Sequence, residues 1–253
     1  MSKALRDFYN KQFFSSSEEG MSNSASIALK YLFSFFQPKS IIDIGCGQGA
    51  WLAAADQLGV KTLKGLDGEW IDESELLSDR IDFQRVNFEK ELPESDAKHD
   101  LCISLEVAEH ISEPNAEKFV AFLCSTSDVV LFSAAICQQE GTNHVNEQWQ
   151  SYWIAKFKAN GYECFDVMRP ALWDVDEVKR WYRQNMFLFV REGSTCIDQK
   201  MLRDMEKPIP DLVHPESFRM AKRIGHGKKH SQKIAIRWAA IGFLAGVAVS
   251  LLK

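Results

Sequence analysis

No two of the six cysteines in this 253-residue chain (Cys46, Cys102, Cys124, Cys137, Cys164, Cys196) form a Cys-x-x-Cys pair. Their scatter suits neither a zinc ribbon nor a disulfide framework, and the N-terminus lacks a signal-peptide pattern, so the expected setting is cytoplasmic with reduced thiols. Basic residues are also scarce over most of the length: residues 1–200 carry 20 Lys and Arg against 31 Asp and Glu, a balance of −11. An acidic body repels a polyphosphate backbone, which argues against a nucleic-acid substrate. Residues 201–253 reverse the sign with 10 basic against 4 acidic residues, so the overall charge of −5 hides a basic tail. What remains, 45% apolar and 26% charged, is ordinary for a soluble globular chain long enough for one well-buried α/β domain with extensions.

The informative stretch is 40–58. Ile41, Ile42 and Ile44 make a β-branched run bounded by Pro38 and Gly45, the pattern of a buried parallel strand. Residues 50–58 place Trp51, Leu52, Ala55 and Leu58 on one helical face, and Gly59 stands where a helix C-cap belongs. Between them lie Gly45, Gly47 and Gly49. A strand–glycine loop–helix unit lets backbone approach a ligand closely and offers unpaired N–H groups at the helix start, as nucleotide-type cofactors require. The same spacing satisfies G-x-G-x-x-A through Gly45, Gly47 and Ala50, so the loop alone leaves a nicotinamide-dependent oxidoreductase open.

The rest of the chain alternates strand and helix. Strands are predicted at 62–67, 81–88, 100–105, 128–134, 162–168 and within 181–190; helices at 24–34 (capped by Ser24 or Ser26), 114–124 and 149–160. This predicts a Rossmann-like doubly wound sheet of α/β class, mostly parallel, with seven strands. Asp67, 24 positions after Asp43 at the end of the second strand, is placed to accept hydrogen bonds from ribose hydroxyls. The aromatic segment 8–14 is a candidate lid, and Trp149, Trp153 and Trp173 either form a stacking wall or belong to the core.

Asp43, two residues before the first glycine, gives D-x-G-x-G-x-G, which resembles motif I of the class I S-adenosylmethionine-dependent methyltransferases. With L-E-V-A-E-H-I, V-V-L-F-S-A-A-I, T-N-H-V-N-E-Q-W and W-Y-R-Q-N-M-F-L-F-V, the chain from 9 to 190 is similar to bacterial methyltransferase-domain proteins of undefined substrate. The resemblance implies S-adenosylmethionine as cofactor, Asp43 facing its methionine end, Asn87 and Phe88 against its adenine, Glu106 ordering the loop beside it, and a last strand inserted antiparallel. An acid is frequent in that family where this chain has Asn87.

In such a sheet the site lies beyond the carboxyl ends of the strands. Glu106, Glu109 and His110 follow the fourth strand; His144, Asn146 and Glu147 follow the fifth. His144, or alternatively His110, suits a general base that removes a hydroxyl proton during attack on an activated methyl. The E-x-x-E-H run also resembles the cation site of small-RNA 2′-O-methyltransferases and ubiquinone-pathway O-methyltransferases, which implies that Glu106, Glu109, His110 and His144 hold Mg²⁺, Mn²⁺ or Zn²⁺.

The sequence thus reads as a domain at 1–192, a polar then basic linker at 193–233, and an apolar segment at 234–252. The fifteen uncharged residues 238–252 would span about 22 Å as a helix, and about 28 Å with 234–236 added, close to the ~30 Å of a hydrocarbon core. With the basic flank on the cytoplasmic side, this is a candidate membrane anchor, which would let the enzyme meet a small or lipid-linked acceptor at the membrane face; a soluble docked helix is the alternative. A cofactor-binding membrane scaffold without catalysis completes the set of readings.

Overall fold

Continuous buried apolar runs build the centre of the sheet on which the site rests. The computed structural model describes residues 11–93, 97–139, 141–205 and 211–218. The chain divides into units 1–212 and 213–253, and of the second only 213–218 are described. The expected linker end and apolar segment, 219–253, lie outside the described residues, as does most of the 8–14 lid. No described helix is long and apolar enough to cross a membrane.

In the first unit the order is α1 (Lys11–Phe33), β1 (Ser40–Ile44), α2 (Ala50–Gln57), β2 (Thr62–Asp67), β3 (Asp82–Arg85), β4 (Leu101–Leu105), α3 (Glu113–Thr126), β5 (Val129–Ser133), α4 (Gln150–Ala159), β6 (Tyr162–Phe165), α5 (Met168–Leu172), α6 (Arg180–Asn185), β7 (Phe187–Arg191) and α7 (Gln199–Met205). The sheet runs β3-β2-β1-β4-β5-β7-β6, with β7 antiparallel to both β5 and β6 and the other pairings parallel. This is the expected seven-stranded, mostly parallel sheet with its last strand reversed.

Successive strand side chains point to opposite faces, so Ile41 joins one core and Ile42 the other. The first core packs Ala25, Leu29 and Leu32 of α1 with Trp51, Leu52 and Ala55 of α2. The second packs Phe119, Val120 and Leu123 of α3 with Trp153 and Phe157 of α4, and Phe157 stacks on Phe189 at 3.8 Å between centroids. Trp153 is therefore core, while Trp149 and Trp173 are half-buried.

Two local expectations are corrected. Neither Ser24 nor Ser26 caps a helix, because α1 already runs from Lys11; Ser24 Oγ donates to Gly20 O at 2.7 Å and accepts from Lys179 N–H at 3.0 Å. Residues 193–212 are not all linker: Ile197 and Leu202 are buried, and Asp211 accepts from Ser151 N–H at 3.0 Å at the start of α4.

β1 is flanked by β2 on one side and β4 on the other, so the chain changes winding direction there. The crevice at that reversal, beyond the carboxyl ends of the strands, is where an open α/β sheet takes its ligand. The loops after β1 and β4 meet in it.

Candidate active site

The glycine loop is shaped by backbone that side chains would forbid. Gly45, Gly47 and Gly49 have φ of +86°, +55° and +83°. A Cβ on Gly45 would lie 2.3 Å from Val107, and one on Gly49 would lie 2.5 Å from Ile81. Gly45 therefore lets the loops after β1 and β4 touch. The Gly45 and Cys46 N–H groups donate to Leu66 O at 2.7 and 3.1 Å, which pins the loop to β2.

Asp67 completes this loop. Its carboxylate accepts from Gly47 N–H at 2.7 Å and from Gly68 N–H at 2.6 Å. Burial pushes its pKa up to about 6, with those two bonds and Trp70 pulling the other way. With Gly47, Gly68 and Trp70 donating, the carboxylate keeps one lone pair for a hydroxyl donor. Asp43 is only 2% exposed, and its Oδ2 is a buried oxygen without a hydrogen-bond partner. Burial first, and the Asp67 charge second, hold its pKa well above the usual carboxylate range. A buried, unpartnered carboxylate oxygen invites a donor such as an ammonium.

At the end of β3, Val86 N–H donates to Asp67 O at 2.8 Å. Asn87 is exposed, and its Oδ1 accepts from Glu89 N–H at 3.2 Å. Phe88 is half-buried and lies edge-on to Phe119 with centroids 5.8 Å apart. Both residues thus stand on the rim next to Asp67.

The turn after β4 carries the second half of the site. Glu106 has a left-handed φ of +56°; Gln138 and Asn143, at +68° and +60°, are the other non-glycine residues in that region among the described residues, and both lie in the loop after β5. Strain of this kind concentrates at functional sites. Glu106 is held by amides: Gln139 Nε2 donates to Oε2 at 2.7 Å and Asn185 Nδ2 to Oε1 at 3.2 Å, while Asn185 also donates to Gln139 Oε1 at 2.8 Å. Burial raises its pKa, against these bonds and the His144 charge.

Glu109, His110 and His144 converge: one ligand atom from each lies within 4.8 Å of the others. Glu106 is not among them, because Gln139 and Asn185 occupy its carboxylate. Glu109 is 1% exposed, its Oε2 lacks a partner, and burial with the Glu106 charge raises its pKa well above normal. His110 Nδ1 lies 3.2 Å from Asn143 O, and since a carbonyl only accepts, that nitrogen carries the proton. Burial and the neighbouring His144 lower the His110 pKa. His144 Nδ1 lies 2.7 Å from Glu147 Oε1, its Nε2 is 3.9 Å from Glu109 Oε1, and the two imidazole rings meet edge-on at 5.0 Å. An open depression of about 610 Å³ adjoins them, lined by Gly141, His144, Val145 and Glu147.

Sequence reasoning missed Tyr182, Gln139 and Asn185. The Tyr182 ring packs edge-on against Trp51 at 5.2 Å, at the start of the helix that follows the glycine loop, and burial raises its pKa. Tyr182 and Asn185 lie in the W-Y-R-Q-N-M-F-L-F-V run, but nothing local gives them or Gln139 a part in the site; tertiary folding brings Gln139 and Asn185 to Glu106.

A family model described as "Methyltransferase domain" matches residues 18–188. Among solved structures, the chain is similar to an O-methyltransferase family protein from Burkholderia thailandensis, with a TM-score of 0.53 and 12% identity over 75% of this chain and 60% of that one. It is similar to a chain of the Haloferax volcanii complex between the Trm112 methyltransferase activator and the putative methyltransferase (TM-score 0.54, 14% identity, 75% and 98% covered). It also resembles magnesium protoporphyrin IX methyltransferase from Synechocystis PCC 6803 with bound SAH (TM-score 0.50, 15% identity, 75% and 99% covered). At these identities the structures share the fold alone. No curated protein matches the sequence.

Proposed function

The chain belongs to the methyltransferase-domain family, as a class I S-adenosylmethionine-dependent enzyme, and from that premise we propose that it methylates a hydroxyl of a small or lipid-linked acceptor, saccharides included, with His144 as general base. The nicotinamide and non-catalytic readings give way to that membership. The cofactor suits the residues present, because Asp43 Oδ2 is a buried oxygen without a partner behind the glycine loop. Asp43 and the loop of Gly45, Gly47 and Gly49 would hold the methionine end, Asp67 the ribose hydroxyls, and Asn87 with Phe88 the adenine. Glu106 would border the methionine end from the other side. When bound, S-adenosylmethionine supplies a methyl on a sulfonium, whose S–C bond breaks as the C–O bond to the acceptor forms.

The chain itself must place the acceptor and take its proton. The observation that carries the reading is the His144 imidazole, bonded through Nδ1 to Glu147, beside an open depression of about 610 Å³. The acidic balance of residues 1–200 favours a small acceptor over nucleic acid. The basic and apolar sequence beyond residue 219 favours one met at a cytoplasmic membrane face.

A second reading has its own observation. The convergence of Glu109, His110 and His144 within 4.8 Å suits a divalent cation, Mg²⁺, Mn²⁺ or Zn²⁺, and two imidazoles with one carboxylate favour the latter two over Mg²⁺. Such an ion would polarise the acceptor hydroxyl.

The test is release of S-adenosylhomocysteine by the full chain incubated with S-adenosylmethionine and a panel of phenols, saccharides and polyprenyl-linked sugars. His144→Ala should lower turnover by about 100-fold or more, in the range of a lost general base, with cofactor affinity unchanged. Turnover on no hydroxylated acceptor, or full turnover by the variant, would sink the base assignment. Chelation followed by return of Mn²⁺, Zn²⁺ or Mg²⁺ separates the second reading from the first.

A further inference from the structure

We infer that Glu147 is a positioning residue, whose carboxylate fixes the His144 imidazole with its proton on Nδ1 and its lone pair on Nε2 facing Glu109. The inference rests on the reading of His144 as the group that meets the acceptor, and it supplies what that reading lacks: a reason for the correct nitrogen to be free.

Three observations carry it. The Nδ1–Oε1 contact is 2.7 Å, and an ionised carboxylate can only accept, so Nδ1 donates. The other carboxylate oxygen is also committed: Gln138 N–H donates to Glu147 Oε2 at 2.7 Å. The carboxylate is thus clamped at both ends and cannot swing away from the ring. The surrounding chain is pinned as well. Val145 and Asn146 N–H donate to Glu109 O at 2.9 and 3.0 Å, Gln148 N–H to Ala135 O at 3.3 Å, and the Cys137 thiol to Glu147 O at 3.2 Å. Gln138 provides its N–H from a left-handed conformation, φ +68°, which a non-glycine residue adopts only under constraint.

The chemistry follows. As the acceptor oxygen bonds to the methyl carbon, its proton passes to His144 Nε2, and the Nδ1 proton stays where it is. The imidazolium so formed faces the Glu147 carboxylate at 2.7 Å, which stabilises its charge. Without Glu147, half or more of His144 would carry its proton on Nε2 and have no lone pair to offer there.

The carboxylate-to-amide exchange gives a sharp test, because Glu147→Gln leaves one acceptor for two donors. The Gln138 N–H is fixed in the backbone, whereas His144 can move its proton. The amide oxygen therefore stays with Gln138, the amide NH₂ turns to Nδ1, and the tautomer reverses. The measurement is a long-range ¹H–¹⁵N correlation spectrum of the ¹⁵N-histidine-labelled full chain with the imidazoles neutral, His144 being assigned by its loss in His144→Gln. The expected result is Nδ1 protonated in the natural sequence and Nε2 protonated in Glu147→Gln. A proton on Nε2 in the natural sequence would overturn the proposal, and that spectrum decides even if the variant does not fold. An unchanged tautomer in a folded Glu147→Gln would overturn it too. Binding of S-adenosylhomocysteine, followed in parallel, reports separately on the methyltransferase reading, since neither tautomer depends on cofactor.

Discussion

Asp67 performs two tasks with one carboxylate. It closes the glycine loop through Gly47 and Gly68, and in the proposed function its remaining lone pair takes a ribose hydroxyl. Burial raises its pKa to about 6 and holds that of Asp43 well above the usual carboxylate range, so lowering the pH protonates both. Ribose hydroxyls and an ammonium donate to the charged forms. Affinity for S-adenosylhomocysteine should therefore fall by about tenfold per pH unit below 6, measured by calorimetry between pH 8 and 5; a flat profile would contradict the assignment. The sign for stability is opposite. A carboxyl raised in the folded state contributes stability fully below its unfolded pKa and loses it as the pH rises through about 6. Asp67→Asn at pH 8 should weaken the ligand by about 10-fold or more, the worth of one or two charged hydrogen bonds. Asp67 was legible in the sequence because strand, acid and spacing from the loop are all local. The amides of Gln139 and Asn185 around Glu106 were not, since they arrive from the loop after β5 and from α6 by tertiary folding alone.

At the scale of elements, the strands and most helices announced themselves, while the start of the first helix and the ends of β3 and β6 did not. β2 occupies its expected 62–67, and the helix expected at 114–124 lies within α3, whose Ala116, Phe119, Val120 and Leu123 are fully buried. β1, β4 and β5 are buried apolar runs, and nothing local competes with such runs. α1 runs through serines and Gly20 that look like helix breakers, because a contact 155 residues away uses Ser24. The start of α3 shows a similar long-range rescue. Glu89, from the turn after β3, accepts from Ser112 N–H at 2.5 Å, Ser112 Oγ at 2.9 Å and Asn115 Nδ2 at 2.7 Å. Burial alone would raise its pKa, yet those donors hold it below the usual range. Glu89→Ala should cost about 1 kcal/mol, as a lost helix cap does, and lower the midpoint of thermal unfolding by a few degrees. Gly45→Ala is expected to be worse, since its Cβ would sit 2.3 Å from Val107 at a φ of +86°. Loss of ligand binding in that variant, with far-ultraviolet circular dichroism retained, would show that the contact between the two loops matters to the site rather than to the fold.

For the whole molecule, the sheet order puts two loops with different duties on one rim. The loop after β1, with Asp43 and Asp67, is a wall of acceptors; the loops after β4 and β5 bring Glu109, His110 and His144 together beside an open depression. This division was visible in outline from the sequence, because each loop follows a readable strand. The grouping inside it was not: E-x-x-E-H together with His144 suggests four ligands, while the folded chain diverts Glu106 to amides and leaves three. All of this presupposes that the crevice takes S-adenosylmethionine. The most direct measurement is calorimetric titration of the full chain with S-adenosylhomocysteine and, separately, with NAD⁺. Saturable binding of S-adenosylhomocysteine, weakened in Asp67→Asn, with no heat from NAD⁺, is the predicted result; saturable NAD⁺ binding with S-adenosylhomocysteine silent would contradict the account at its base.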